Sequence, residues 1–462
     1  MIAEMSLSLV ANEMGGELQG DALFQRVSTD SRKIQSGDLF VALNGDTYEG
    51  HRYVAEAVRK GAAAVLVSVE VESKIPKLQV DDSRRAYGII ARENRRRFPG
   101  AAIAITGSAG KTTTKEMIAS ILSECGAVLA TKGNLNNEVG VPLTLLEIEN
   151  RHKYAVVELG ASAVGDIEYL AQFVEPDIAL VTNAMAAHIE GFGDLQNVAR
   201  TKGEIFESLA ANGIAVVNRD DDFFSQWVLQ AGNAKVVTFS KDSPEADYYA
   251  KNIIVKSPGF TRFLLCTEGE SLEVNLGLLG SHNVNNAVAA AAVAVSAGAD
   301  LQQVKKGLEN VSPVSGRLNS IALQGLTVID DTYNASPGSV KAAIDVLEGF
   351  SGKRCLVLGF MAELGADEEK LHREVAGYAR DKNIDQLVAV GEYSDLMASE
   401  FGESSKSYSD IDEMVKELED LSAAEVVLVK GSRSSRMERV VQALVDSPLY
   451  GGLPSRLNPG DA

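Results

Sequence analysis

The stretch AIAITGSAGKTTTKE, residues 102–116, constrains the fold of this chain more than any other. An apolar β-type run (AAIAIT) enters a Gly-rich turn (GSAG). The segment KTTTKEMIASIL then leaves it with apolar residues at Met117, Ile118, Ile121 and Leu122, the spacing of one helix face. A strand that turns over glycines into a helix aims backbone N–H groups and the positive end of the helix dipole at one point, which suits a phosphate. Lys111 is then placed to reach the β- and γ-phosphates, and Thr112 to offer a hydroxyl to Mg2+. The general pattern G-x-x-x-x-G-K-[ST] would put its first glycine where this chain has Ile105. The plain alternative is a Gly-rich turn beside a solvated lysine, and the strand before it and the helix after it favour the phosphate loop.

The same alternation continues along the chain. KYAVVELG, PDIALVTN and GIAVVN are apolar runs that stop at Gly, Asn or Glu, each followed by helix-like sequence. This predicts an α/β unit with a mostly parallel sheet. KNIIVKS, TRFLLCT and SLEVNLGL, within 250–280, predict an antiparallel insertion or edge. After VSPVSGRLNS the alternation returns in LTVIDDTY, RCLVLGF, QLVAVGE and EVVLVKGS, a second α/β unit of Rossmann type without G-x-G-x-x-G. The first 80 or so residues carry short strand-like runs, DLFVAL and AAAVLVS, around a helical stretch, HRYVAEAVRKGA. A chain of 462 residues exceeds one ordinary core, so two or three domains are expected.

A formal net charge of −20 disfavours nucleic acid and anionic membrane surfaces as general partners. Polyanions such as nucleotides then need local sites with their own cations. Cys125, Cys266 and Cys355 lie far apart in apolar stretches, neither a disulfide framework nor a zinc spacing, and read as small core residues. The start carries acids and no basic n-region, and the alanine-rich run NNAVAAAAVAVSAGA suits a buried helix. These features point to a cytosolic enzyme, with a monomer as the default.

Around the loop, Glu158 ends the strand KYAVVELG, where a carboxylate can be a Mg2+ ligand or merely a surface group. His188, in VTNAMAAHIEGFG, is by its chemistry either a metal ligand or a capping residue. Lys202, in NVARTKGEIFESL, reads from chemistry alone as a solvated helix lysine.

TGSAGKTT resembles the T-G-[ST]-x-G-K-[ST]-[ST] loop of the Mur ligases, which lacks the first glycine of the general pattern. GNLNNEVGVP, VVELGAS, AAHIEGFG, TKGEIF, LLGSHNVNNAVAAAA, SGRLNS, DDTYNASPGS, MAELG and KGSRSSRME follow in that family's order across nearly the whole chain. STDSRKIQSGDLFVAL resembles its uridine-nucleotide domain. The resemblance implies three domains: a small α/β UDP-sugar domain over 1–83, a central P-loop ATPase-like parallel sheet over 84–314 and a C-terminal Rossmann-like domain over 315–455, with a mobile tail at 456–462. It also implies an ATP- and Mg2+-dependent amide ligase that joins D-alanyl-D-alanine to UDP-N-acetylmuramoyl-tripeptide through an acyl phosphate.

Carried over residue by residue, Gly107, Ser108, Ala109, Gly110, Lys111, Thr112 and Thr113 hold the ATP phosphates. Thr112 and Glu158 hold a first Mg2+, and His188 and Lys202 serve a second, the lysine as a carbamate. Asn286 matches an adenine contact, and Arg317, Asp331 and Tyr333 match residues that reach ATP from the third domain, with Asn334 beside them. Asp30, Ser31, Arg32, Asn44 and Gly45 match the uridine-diphosphate region, and Lys430, Ser432 and Arg433 are candidates for the incoming dipeptide. The chain departs from the pattern at Phe360, where the family usually has Asp, and at Ser336, where Asn is commoner. The diaminopimelate-reading D-N-P-R motif of the tripeptide-forming relative is not seen, and the uridine-type first domain speaks against a folylpolyglutamate synthase. A P-loop switch without ligase chemistry would have no use for a second metal set.

Overall fold

The computed structural model describes all residues except 46–47, 187–188, 211, 257–259, 418–420, 422 and 451–462. The apolar runs of the sequence become the strands of three main sheets, one in each of three successive regions. In the first region, β1 (Glu17–Gln19), β2 (Val27–Ser28), β3 (Leu39–Val41), β4 (Ala64–Val67) and β5 (Lys77–Gln79) pair in the order β1-β5-β4-β3-β2. Only β1 and β5 run antiparallel. Helix α1 (Ser83–Arg96) follows, capped by Asp82, whose carboxylate accepts from the N–H groups of Arg84 and Arg85. At its far end, the guanidinium of Arg95 donates to the carbonyls of Val174 and Glu175 and to Asp177 Oδ2. The helix is thereby fastened to the central region, and the ring of Phe173 lies where a Cβ on Gly88 would stand.

The central sheet has nine strands. Its parallel part contains β6 (Ala101–Thr106), β7 (Val128–Ala130), β8 (Tyr154–Glu158), β9 (Ile178–Val181), β10 (Ile214–Asn218) and β11 (Lys235–Ser240), with α2 (Lys111–Ser123), α3 (Asp166–Val174) and α4 (Leu195–Glu207) among its connections. The strands β12 (Tyr248–Lys256), β13 (Phe260–Cys266) and β14 (Ser271–Leu276) add the antiparallel edge expected from the sequence. The order is β7-β8-β6-β9-β10-β11-β12-β13-β14. From β6 the chain passes to β7 and β8 on one side and then crosses to β9 on the other, so the loop after β6 lies at the switch point, where open α/β sheets bind ligands. One face of this sheet is covered by α2, α5 (His282–Ser296) and α6 (Leu301–Glu309). Met117, Ile118, Ile121 and Leu122 are all buried in that layer, as is the alanine run of α5. The other face shares a continuous core with the first region.

The third region holds β15 (Asn319–Leu323), β16 (Leu326–Asp331), α7 (Pro337–Glu348), β17 (Arg354–Gly359), β18 (Gln386–Val390), β19 (Ser405–Tyr408) and β20 (Val426–Lys430). Its sheet order is β15-β16-β20-β17-β18-β19, parallel except for the β15–β16 hairpin. This is the Rossmann-type layout expected of the C-terminal α/β unit. The proposed tail at 456–462 lies outside the described residues. No helix among the described residues is long and apolar enough to cross a membrane, and Cys125, Cys266 and Cys355 are free thiols.

Candidate active site

The turn after β6 is shaped by its glycines. Gly107 and Gly110 have φ of +146° and +80°. A Cβ on Gly107 would overlap Thr182 Oγ1, and one on Gly110 would stand 2.6 Å from Asn286 Oδ1. Glycine is therefore required on both counts, conformation and space. Asn183, one residue past Thr182 at the end of β9, holds the turn from beside it. Its carbonyl accepts from Ser108 N–H at 3.0 Å, its Oδ1 accepts from Ala109 N–H at 2.9 Å, and its Nδ2 donates to Ala109 O. This corrects one expectation from the sequence: the N–H groups of Ser108 and Ala109 are engaged within the protein. The N–H groups of Gly110, Lys111, Thr112 and Thr113 at the start of α2 have no acceptor within the helix, whose ladder begins with Thr114 N–H on Gly110 O.

Three chain segments meet on one hydroxyl at this helix start. Thr112 Oγ1 donates to Glu158 Oε2 at 2.9 Å and accepts from Arg317 Nη2 at 3.0 Å. Glu158 is 2% exposed at the end of β8, and its Oε1 accepts from Asn136 Nδ2 at 2.8 Å. The ammonium of Lys111 donates to the Gly107 carbonyl, and burial pushes its pKa down against the opposing pull of Glu158. Lys202, on α4, is 2% exposed with its ammonium 5.4 Å from the centre of the Phe192 ring. Burial first, and the charge of Lys111 second, hold its pKa well below the usual lysine range. The solvated-lysine reading of Lys202 is thereby excluded. His188 lies outside the described residues.

The third region closes the far wall. A cleft of about 1080 Å³ is lined by the loop after β6, by Asn136 and Glu158, by the start of α5, and by Arg317, Asp331, Tyr333, Asn334 and Lys430. Arg317 stacks its guanidinium 4.3 Å from the Tyr333 ring centre. Asp331 and Lys430 end the neighbouring strands β16 and β20 and form a buried ion pair of 2.6 Å; Lys430 also donates to Asn334 O. Burial raises the Asp331 carboxyl and Lys430 opposes the rise. Asn286 is buried, hydrogen-bonded to Asn283 and packed on Gly110.

Two dipeptide candidates are not brought to the cleft. The Ser432 hydroxyl is buried among Ser434 and Ser435, and Arg433 is 65% exposed and pairs with Glu438. Both belong to the turn after β20, which bonds to the Phe360 carbonyl through Ser432 N–H rather than bending back over Lys430. Ser336 caps α7 together with Ser339.

The uridine candidates stand apart from the cleft, in the first region. Ser31 donates to Glu56 at 2.8 Å, Asp30 pairs with Arg32, which lowers the Asp30 carboxyl to about 2, and Asn44 Oδ1 accepts from Gly50 N–H and bonds His51. Gly45 pairs with Tyr48 in a two-residue hairpin arm.

The chain matches three domain models in sequence order. They are the Mur ligase family catalytic domain over residues 24–96, the Mur ligase middle domain over 105–294 and the Mur ligase glutamate ligase domain over 316–433. It is 44% identical to the UDP-N-acetylmuramoyl-tripeptide--D-alanyl-D-alanine ligase of Escherichia coli (strain K12), over 96% of this chain and 99% of that protein. The chain belongs to the Mur ligase family. A solved Acinetobacter baumannii structure, a UDP-N-acetylmuramoylalanyl-D-glutamyl-2,6-diaminopimelate--D-alanyl-D-alanyl ligase, superposes with a TM-score of 0.86 at 34% identity, covering 96% of this chain and 99% of that one. The MurF ligase of Thermotoga maritima, solved in complex with ADP, gives 0.77 at 29% identity over 90% and 96%.

Among Mur ligase residues of this chain, Asn136 and Asn183 were not singled out from the sequence. Each had a signal: Asn136 lies inside GNLNNEVGVP, and Asn183 ends the run PDIALVTN two residues past a buried strand. A short amide at a strand end can bond a loop without leaving the backbone.

Proposed function

We propose that this Mur ligase joins D-alanyl-D-alanine to UDP-N-acetylmuramoyl-tripeptide at the expense of ATP, giving the pentapeptide precursor of peptidoglycan, ADP and phosphate in the cytoplasm. The near full-length relatedness to the E. coli ligase supports the choice of substrates. The observation that carries the chemistry is the meeting of Thr112, Glu158 and Arg317 on one hydroxyl at the phosphate loop. It joins residues of the central and third regions, as a site must that brings nucleotide and acceptor together.

In this reading the terminal carboxylate of the tripeptide attacks the γ-phosphorus, and ADP leaves. The amine of the dipeptide then adds to the acyl phosphate, and the tetrahedral intermediate expels phosphate. Two anions must approach in the first step, so positioning and cationic stabilisation do most of the work. The helix-start N–H groups and Lys111 hold the phosphates, and Arg317 reaches them from the third region. Asn286 and Tyr333 flank the nucleotide. The Thr112 hydroxyl and Glu158 carboxylate are hard oxygen donors 2.9 Å apart, which suits Mg2+, an ion commonly held by one or two protein oxygens plus substrate phosphates. When bound, Mg2+ neutralises phosphate charge. Lys202 as an amine offers no oxygen; its lowered pKa favours the neutral form, which would take up CO2 with release of a proton, and the carbamate together with His188 would then hold a second ion. Lys430 faces the acceptor side, and Asp30, Ser31, Arg32, Asn44 and Gly45 take the uridine diphosphate. The functional units divide near residues 84 and 315.

The test is phosphate release from ATP with UDP-N-acetylmuramoyl-tripeptide, with and without D-alanyl-D-alanine, together with mass detection of the pentapeptide. Phosphate release that ignores the dipeptide, with no pentapeptide formed, refutes the assignment.

A further inference from the structure

The proposed substrate must stretch from the first region, where its uridine end sits, to the phosphate loop, where its terminal carboxylate reacts. Its peptide therefore crosses the seam between the two. A glutamyl residue, as in the alanyl-D-glutamyl-diaminopimelate peptide named for the A. baumannii ligase, spends one carboxyl on the chain and keeps the other free. That buried-to-be anion needs a cation along the seam.

Arg84 stands there. It is the second residue of α1, and its Nη2 donates to the Asn44 carbonyl at 2.6 Å, on the uridine side. Its Nη1 meets Glu138 Oε1 at 3.4 Å, on the cleft side, where Glu138 is a lining residue. The two contacts differ in kind. The first is short and holds the Asn44 loop. The second is at the outer limit of a hydrogen bond, between side chains 41% and 37% exposed, and such pairs contribute little. A substrate carboxylate can replace Glu138 on the guanidinium without disturbing the Asn44 contact, and the planar fork suits a carboxylate. The other cations of the cleft are committed or distant. Lys111 serves the loop, Arg317 sits on Thr112, and Lys430 is paired with Asp331. Lys241 follows β11, three strands from β6 on the side away from β8.

We propose that Arg84 is a specificity-determining residue that binds the free glutamyl carboxylate of the tripeptide, exchanging Glu138 for substrate; this rests on the ligase reading above. The measurement is kcat/KM for two tripeptide substrates, one with that carboxylate free and one with it amidated, using wild type, Arg84→Lys and Arg84→Gln. Comparing the two substrates within each enzyme cancels any effect of the substitution on the Asn44 loop. Wild type is expected to favour the acid by about tenfold or more, the effect of one charge-assisted hydrogen bond. Arg84→Gln is expected to bring the ratio to about one by lowering the rate with the acid, and Arg84→Lys to keep part of it. A wild-type ratio near one, or an Arg84→Gln ratio equal to that of wild type, overturns the proposal. If Arg84→Gln does not fold, the wild-type and Arg84→Lys ratios decide. Failure of wild type to ligate either substrate would overturn the ligase reading instead.

Discussion

Asn136 offers the sharpest test of how the site is held. Its amide is the donor to Glu158 Oε1, while Thr112 supplies the donor to Oε2, so each oxygen of a carboxylate that is 2% exposed has one side-chain partner. Asn136→Ala removes one of them. The loop itself has a separate anchor, because Gly160 N–H donates to the Asn136 carbonyl at 2.8 Å, a backbone bond that the substitution leaves intact. The loss therefore falls on the carboxylate. A hydrogen bond to a buried charged group is worth about 1.5–3 kcal/mol, or a factor of about 10–100. In the proposed reaction this appears as a fall of that size in kcat/KM for ATP and as a higher Mg2+ concentration for half-maximal rate. The KM for D-alanyl-D-alanine is expected to move little. Asn136→Asp adds a like charge beside the same oxygen and is expected to lose more. The assay is phosphate release over a Mg2+ titration, with a melting curve on each variant to separate site from fold. Asn136→Ala and Asn136→Asp both turning over within about twofold of wild type, with unchanged Mg2+ dependence, would refute the reasoning.

Two further outcomes follow from buried groups. Lys202→Ala is expected to cut turnover by about 100-fold or more and to regain part of it on addition of a short carboxylate; full activity without it would remove the carbamate. His282, at the start of α5, has its pKa lowered from 6.5 to about 4, by burial first and then by Lys430 and Lys241, with Asp345 opposing. Because the unfolded chain takes up this proton first, stability falls as pH drops through that window, by about 1.5 kcal/mol between pH 6.5 and pH 5. His282→Gln is expected to flatten the melting temperature over the same interval, and an unchanged slope would rule His282 out as its source.

What the sequence made legible follows from period and punctuation. The strand β6, the turn at Gly107 and the buried face of α2 are local features, and local spacing predicts them well. The antiparallel edge at β12–β14 was legible because alternating, β-branched runs sit close together there. The contacts that build the site are a different matter. Thr112, Asn136, Glu158 and Arg317 are scattered over 205 positions of the chain, and no local rule brings them together. Sheet order places β8 beside β6, and the packing of the third region against the loop brings Arg317 to Thr112. Membership of a matching motif does not by itself turn a side chain toward the cleft. KGSRSSRME has the look of a basic ligand loop, yet Ser432 spends its hydroxyl on neighbouring serines and Arg433 faces solvent. Lys202 erred in the opposite direction, because a helical lysine between polar residues looks solvated until the tertiary layer above it is known.

The reach of Arg317 into the central region is prepared by strain next to it. Leu318 has φ +49°, a left-handed conformation that costs a non-glycine residue of order 1 kcal/mol. Two bonds to the end of β16 hold the turn in that shape: Gly316 N–H to Asp330 Oδ2 at 3.0 Å, and Leu318 N–H to Asp331 Oδ1 at 3.2 Å. Tyr333 closes it from the other side, by donating its N–H to Gly316 O and by stacking on the guanidinium. Two acidic residues at one strand end therefore have distinct tasks. Asp330 shapes the turn, and Asp331 both shapes it and binds Lys430 across to β20. An arginine held this way has few rotamers left to lose, so its contact with Thr112 costs little side-chain entropy when the third region lies over the loop. The same rigidity ties the guanidinium to its own domain frame. A rigid-body movement of the third region away from the central one withdraws Arg317, Asp331 and Lys430 together, so that in the proposed reaction the cationic wall of the cleft is present or absent as a unit.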